Sequence, residues 1–146
     1  MLMGYDEHWA NCEDPGSTAS QPFVEASLDN LLKLVPADKI INALPFYTRV
    51  WKTNGGKVTS EALDMETAWN FIKNNGLNMT WDATAGQNYG EIQLGNTFYQ
   101  IWMEDKDSIE AKLAVMRKYG IGGVAAWKLG YETPDIWDKI AVYMNS

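Results

Sequence analysis

Three short, mostly apolar segments constrain this chain most. They are Leu2–Tyr5, Ile40–Leu44 and Gly122–Trp127, and helix-like stretches separate them. Short apolar strands alternating with helices predict parallel βαβ units rather than a sheet of hairpins. The first helix is expected from about Pro22 to Leu34. Val24, Leu28, Leu31, Leu32 and Val35 give it a 3.6-residue apolar stripe, and Pro36 ends it. Asp107 with Glu110 three residues later predicts a capping box, and Gly120 a stop. Thr133-Pro134 predicts the start of a last helix, with Ile136, Trp137, Ile140, Ala141 and Met144 on its buried face.

A different pattern sits between the second and third strands. Asp64 and Gly76 bracket a predicted helix. Met79–Ala83, Tyr89–Leu94 and Thr97–Met103 predict an antiparallel meander, with Gly95-Asn96 as a hairpin turn. The expected organisation is therefore α/β: residues 1–54 and 106–146 form one barrel-like segment, and residues 55–105 form an α+β insertion.

Charge and cysteine content remove several function classes. The formal net charge is −7 and the basic residues are dispersed, which argues against nucleic acid and an anionic membrane surface as partners. Cys12 is the only cysteine, so no intrachain disulfide or zinc pattern is expected, and neither a metal nor a cofactor is implied. Met1-Leu2-Met3 lacks the basic flank and long apolar run of a signal peptide. The 7 Trp, 7 Tyr and 4 Phe are a heavy aromatic load for a chain of 146 residues. Many belong to the core, but flat aromatic faces also stack on sugar rings.

The candidate chemistry lies where the predicted strands end. Tyr5 and Asp6 follow the first, Pro45-Phe46-Tyr47-Thr48-Arg49 follows the second, and Trp127 ends the third. A tyrosine hydroxyl can donate to a substrate carbonyl. A neighbouring carboxylate can bind hydroxyls or share a proton. An arginine can hold a hydroxyl or a carboxylate, and an indole can floor a sugar site. Polar and aromatic groups at the same end of successive parallel strands are the layout of a barrel active site. His8, the only histidine, is expected to be structural. Glu104 is expected on the surface ahead of a helix, and Asn78-Met79-Thr80 reads as a chance glycosylation pattern within a strand.

In their order these motifs resemble glycoside hydrolase family 18. Met3-Gly4-Tyr5-Asp6 resembles that family's Met-x-Tyr-Asp on the sixth barrel strand. Ala43 to Arg49 resembles Gly-x-Pro-x-Tyr-Gly-Arg on the seventh, with Thr48 where glycine is usual. Gly122 to Trp127 resembles the eighth. Gly130-Tyr131-Glu132, followed by Pro134 and Trp137, is most similar to bacterial cell-wall and spore-associated members.

The resemblance implies a partial (β/α)8 TIM barrel comprising the last three strand–helix units, with an α+β insertion between the last two strands. It implies that Tyr5 and Asp6 support substrate-assisted hydrolysis, and that Met3, Tyr47, Arg49 and Trp127 bind substrate. The implied substrate is a polysaccharide containing N-acetylglucosamine, chitin or peptidoglycan, and the implied setting is extracellular or cell-wall and spore-associated. The family's catalytic glutamate belongs to an Asp-x-x-Asp-x-Asp-x-Glu run that this chain does not contain.

The chain alone is therefore expected to be inactive, with the N-terminal half of the barrel as a partner and self-association as an alternative cover for its open strands. A non-catalytic, lectin-like saccharide module and a purely structural fragment are the competing readings. An Asp-x-x-Asp-x-Asp-x-Glu run encoded upstream of Met1 would favour the enzyme.

Overall fold

The computed structural model describes residues 1–145. The elements follow in the order β1 (Leu2–Met3), α1 (Gln21–Leu32), a 3-10 turn (Ala37–Lys39), β2 (Ile41–Pro45), β3 (Tyr47–Asn54), β4 (Lys57–Asp64), α2 (Met65–Asn75), β5 (Thr80–Asp82), β6 (Gln87–Leu94), β7 (Thr97–Met103), α3 (Lys106–Tyr119), β8 (Gly123–Trp127) and α4 (Asp135–Met144). They build two sheets. The first is parallel, in the order β1-β2-β8; the second is antiparallel, in the order β4-β3-β7-β6-β5.

The parallel sheet has two unlike faces, set by its register. Leu2 lies opposite Asn42 and Asn42 opposite Val124, while Leu44 lies opposite Ala126. Leu44 is buried, and Leu2, Val124 and Ala126 pack on the core that α1, α3 and α4 complete. The alternate residues emerge on the other side. There Met3 is 66% exposed and Trp127 56%, and Ile41 is also exposed. Among the described residues, the end strands β1 and β8 each pair with β2 alone.

The antiparallel sheet begins earlier than its sequence suggests. The expected boundary at residue 55 falls in the turn of a β3–β4 hairpin, and the sheet already starts at Tyr47. Gly55 and Gly56 both take left-handed φ, 56° and 78°, as a tight hairpin turn requires. Asp64 caps α2 by accepting from the Thr67 N–H at 2.8 Å, and Gly76 closes it with a φ of 67°. Burial pushes the Asp64 carboxyl up, but hydrogen bonds from Thr67 outweigh it and its pKa is lowered. Met65, Ala68 and Ile72 form the buried side of α2.

Several helix starts differ from expectation. Ser20 caps α1, accepting from the Phe23 N–H at 3.3 Å, and the helix stops at Leu32, before Leu34. The cap of α3 is Asp105, not Asp107. Its side chain accepts from the backbone of Asp107 and Ser108, and Ser108 Oγ accepts from the Asp105 N–H. Glu110 therefore plays no part in the box. For α4 the cap position is Pro134 itself, without a side-chain cap. No helix among the described residues is long and apolar enough to cross a membrane.

Candidate active site

The parallel register brings the candidate residues to one end of the sheet. Gly4, just past β1, donates its N–H to the Ala43 carbonyl at 3.2 Å, so Tyr5 and Asp6 leave the sheet beside Pro45. A Cβ at Gly4 would lie 2.4 Å from Asn42 Oδ1, so any side chain there would displace Asn42. Pro45 lies opposite Trp127, and the Phe46 N–H donates to the Trp127 carbonyl at 2.7 Å. The chain then turns into β3, which carries Tyr47 and Arg49.

Tyr5, Asp6 and Tyr47 form one cluster. Tyr47 Oη donates to Asp6 Oδ1. The Tyr5 and Tyr47 rings meet edge to face, with centroids 6.1 Å apart and planes at 80°. Among the described residues Asp6 is the only non-glycine with a left-handed φ, 63°, a conformation aspartate tolerates better than most residues. That turn of the backbone puts its carboxylate within reach of Tyr47. Burial raises the Tyr47 pKa, reinforced by its hydrogen bond to Asp6. Burial, then the Asp6 charge, raises that of Tyr5. Both hydroxyls are therefore protonated donors at neutral pH.

The other candidates stand at different removes. Arg49 Nη1 donates to Ser60 Oγ on the neighbouring strand at 3.1 Å, while its Nε is buried with no hydrogen-bond partner. Trp127 is exposed at the end of β8, two strands from β1, or about 10 Å at ordinary strand spacing. It touches neither tyrosine of the cluster through a ring contact. Met3 lies on the same open face, opposite Ala43. No group of three or more His, Cys, Asp or Glu among the described residues is placed to hold a metal.

The loop after Asp6 is pinned rather than free. Glu7 accepts from the Ser20 N–H at 2.6 Å and from Ser20 Oγ at 3.0 Å. His8 Nδ1 donates to the Ser17 carbonyl at 2.9 Å, and its ring meets Trp51 edge to face. Trp51 Nε1 donates to the Gly16 carbonyl at 2.8 Å. His8 is thus a packing residue of that loop.

Glu104 corrects the sequence reading outright. It is fully buried, not superficial, and Lys112 Nζ lies 3.0 Å from its Oε2. Burial pushes its carboxyl up to about 7, against the pull of the Lys112 charge and hydrogen bonds from Lys112 and Ser108. A glutamate just before a helix looks superficial in sequence. Ser108 and Lys112, four and eight residues on, are local partners in α3, but Gln87 and Thr48 reach it from other strands. In the glycosylation-like triplet, Asn78 and Met79 precede β5 and only Thr80 lies in it.

Comparison with known proteins places these features in a family. The sequence profile of the glycosyl hydrolases family 18 matches residues 1–132. The uncharacterized glycosylase YvbX of Bacillus subtilis (strain 168) is 27% identical over 143 residues, covering 96% of this chain and 40% of that protein. The cortical fragment-lytic enzyme of Bacillus anthracis is 24% identical over 140 residues, covering 94% of this chain and 32% of that protein. Among solved structures, a chitinase from Chromobacterium violaceum ATCC 12472 superposes with a TM-score of 0.85 at 25% identity, covering 99% of this chain and 44% of that one. The Bacillus cereus spore cortex-lytic enzyme SleL has the same fold, with a TM-score of 0.85 at 24% identity over 95% of this chain and 33% of that one. The chain spans 40% or less of the length of these two curated relatives.

Proposed function

The chain belongs to the glycosyl hydrolases family 18, and on that premise we propose that it supplies the last three strand–helix units of a (β/α)8 glycosidase barrel. In this reading residues 55–105, together with the hairpin that precedes them, are a subdomain inserted beside the cleft. The whole enzyme hydrolyses β-1,4 bonds of a polymer containing N-acetylglucosamine. Relatives named as cortical fragment-lytic enzymes favour bacterial cell wall and spore as the setting. The N-terminal part of the barrel is then the partner of the open sheet face.

The observation that carries this reading is the Tyr5–Asp6–Tyr47 cluster at the ends of two adjacent parallel strands. In substrate-assisted hydrolysis the sugar's own acetamide oxygen attacks the anomeric carbon. A neutral Tyr5 hydroxyl donates a hydrogen bond to that acetamide and holds it in line. Asp6, already accepting from Tyr47, adds negative charge beside the cation that develops. Arg49 lines the cleft, and Trp127 offers its exposed indole face beneath the sugar ring. The proton for the leaving oxygen comes from a glutamate that this chain does not contain.

The chain alone should therefore match buffer when incubated with a fluorogenic chitobioside. General acid catalysis contributes about 10²–10⁴-fold, and that contribution is missing here. Turnover that survives repurification and vanishes in Tyr5→Phe would overturn the assignment.

A second reading is a non-catalytic, lectin-like saccharide module that uses the aromatic groups at the strand ends without an acid. It predicts tight binding by the chain alone, whereas a part-built cleft binds its sugar weakly.

A further inference from the structure

A buried polar network runs beneath the strand ends, and its centre takes no part in the chemistry proposed above. Glu104 Oε2 accepts from Lys112 Nζ at 3.0 Å and from Ser108 Oγ at 2.8 Å. Its Oε1 accepts from Gln87 Nε2 at 2.8 Å. Glu104, Lys112, Ser108, Gln87 and Thr48 are all fully buried. Replacing such an ion pair by apolar side chains is often neutral or stabilising, so stability alone is a weak reason for it.

Two chains of contacts leave this centre. The first is short: the Glu104 N–H donates to Thr48 Oγ1 at 2.9 Å, and Thr48 adjoins Tyr47. The second passes through Gln87, whose Oε1 accepts from Ser17 Oγ. The Ser17 carbonyl accepts from His8, and the neighbouring Thr18 carbonyl accepts from the Glu7 N–H at 2.9 Å. Glu7 adjoins Asp6. The two routes thus end on the two residues whose side chains bond to each other, Tyr47 and Asp6.

We propose that the Glu104–Lys112 pair is a positioning centre that sets the Tyr47–Asp6 hydrogen bond, one arm through Thr48 and the other through Gln87 and Ser17. It couples α3, the antiparallel sheet and the loop after β1, so the two halves of the hydrogen bond are held from a single point. This rests on the reading of Tyr47 and Asp6 as a substrate-facing pair, which gives their alignment a purpose.

The test reads the bond itself in the full chain. Tyr47 is a buried residue and its hydroxyl is hydrogen-bonded to Asp6, so its proton should give an observable, slowed NMR exchange signal, identified by its loss in Tyr47→Phe. Thr48→Val removes one arm and Ser17→Ala the other. Each should speed exchange about fivefold or more, the equilibrium factor carried by one lost hydrogen bond. Thr48→Ser keeps the hydroxyl and should restore slow exchange. Ile72→Val, on α2 and on neither arm, should leave the rate unchanged although it loosens the core.

Should Thr48→Val not fold, Ser17→Ala carries the same test from the Asp6 side. An unaltered rate in a folded arm variant overturns the proposal, and so does equal acceleration in Ile72→Val. The saccharide reading is tested separately, by adding chitotriose to the unmodified chain. Accelerated exchange in both arm variants supports the positioning centre even where chitotriose shifts neither Tyr47 nor Asp6, an outcome that counts only against the saccharide site.

Discussion

Removing Lys112 should be far more damaging than its position in a helix suggests. Lys112→Met leaves the Glu104 carboxyl buried without a counter-charge, and should cost about 3–5 kcal/mol in urea unfolding. The double variant Glu104→Gln/Lys112→Met should recover most of that loss, because the charge is removed with its partner. The pH dependence follows from the raised Glu104 pKa. A carboxyl raised from 4.5 to about 7 favours folding while it is protonated. Its stabilising contribution is full below pH about 4.5, falls as the pH rises towards about 7, and is flat above that. The melting-temperature difference between the unmodified chain and Glu104→Gln should shrink over that window and no other. That Tyr5, Asp6 and Tyr47 follow the ends of parallel strands was legible in the sequence, because strand ends mark themselves locally. The Glu104 network was not, because Ser17, Thr48 and Gln87 reach it from three other parts of the chain.

Elements announced themselves where the signal was local. Thr97–Met103 emerged with the expected bounds, since Gly95-Asn96 fixes its start. The β3–β4 hairpin escaped, although Gly55-Gly56 is also a hairpin pair. The residues before it follow directly on a strand of the other sheet, with only Phe46 between β2 and β3, so the change from parallel to antiparallel partners leaves no gap to read. The cap of α3 was misplaced by two residues, because Asp105 and Asp107 are alike in sequence and only geometry separates them. Asp105→Ala should therefore cost about 1 kcal/mol and Asp107→Ala close to nothing, measured by thermal unfolding. Gly122 makes a firmer prediction. A Cβ there would sit 2.2 Å from the Asp38 carbonyl oxygen, and the Gly122 N–H already donates to Ala37 at 2.9 Å. Gly122→Ala should push the 3-10 turn away from β8 and destabilise the chain by about 1–3 kcal/mol.

At the scale of the whole molecule, the unlike faces of the parallel sheet govern behaviour. Met3, Ile41 and Trp127 leave an exposed apolar surface beside two strands that, among the described residues, pair on one side only. Surfaces of this kind seek cover. The described chain should self-associate at micromolar concentration in sedimentation, and Met3→Lys with Trp127→Lys should return it to monomer. A folded monomer without these substitutions would show that the open face needs no cover. This same end of the sheet is where the saccharide is proposed to dock. The most direct measurement is a set of amide NMR spectra with increasing N-acetylglucosamine tetramer. The amides of Tyr5, Asp6 and Tyr47 and the indole N–H of Trp127 should move together, and Asp6→Ala should abolish the response. Signals that stay fixed at the strand ends, or that move only elsewhere on the chain, would contradict the claim.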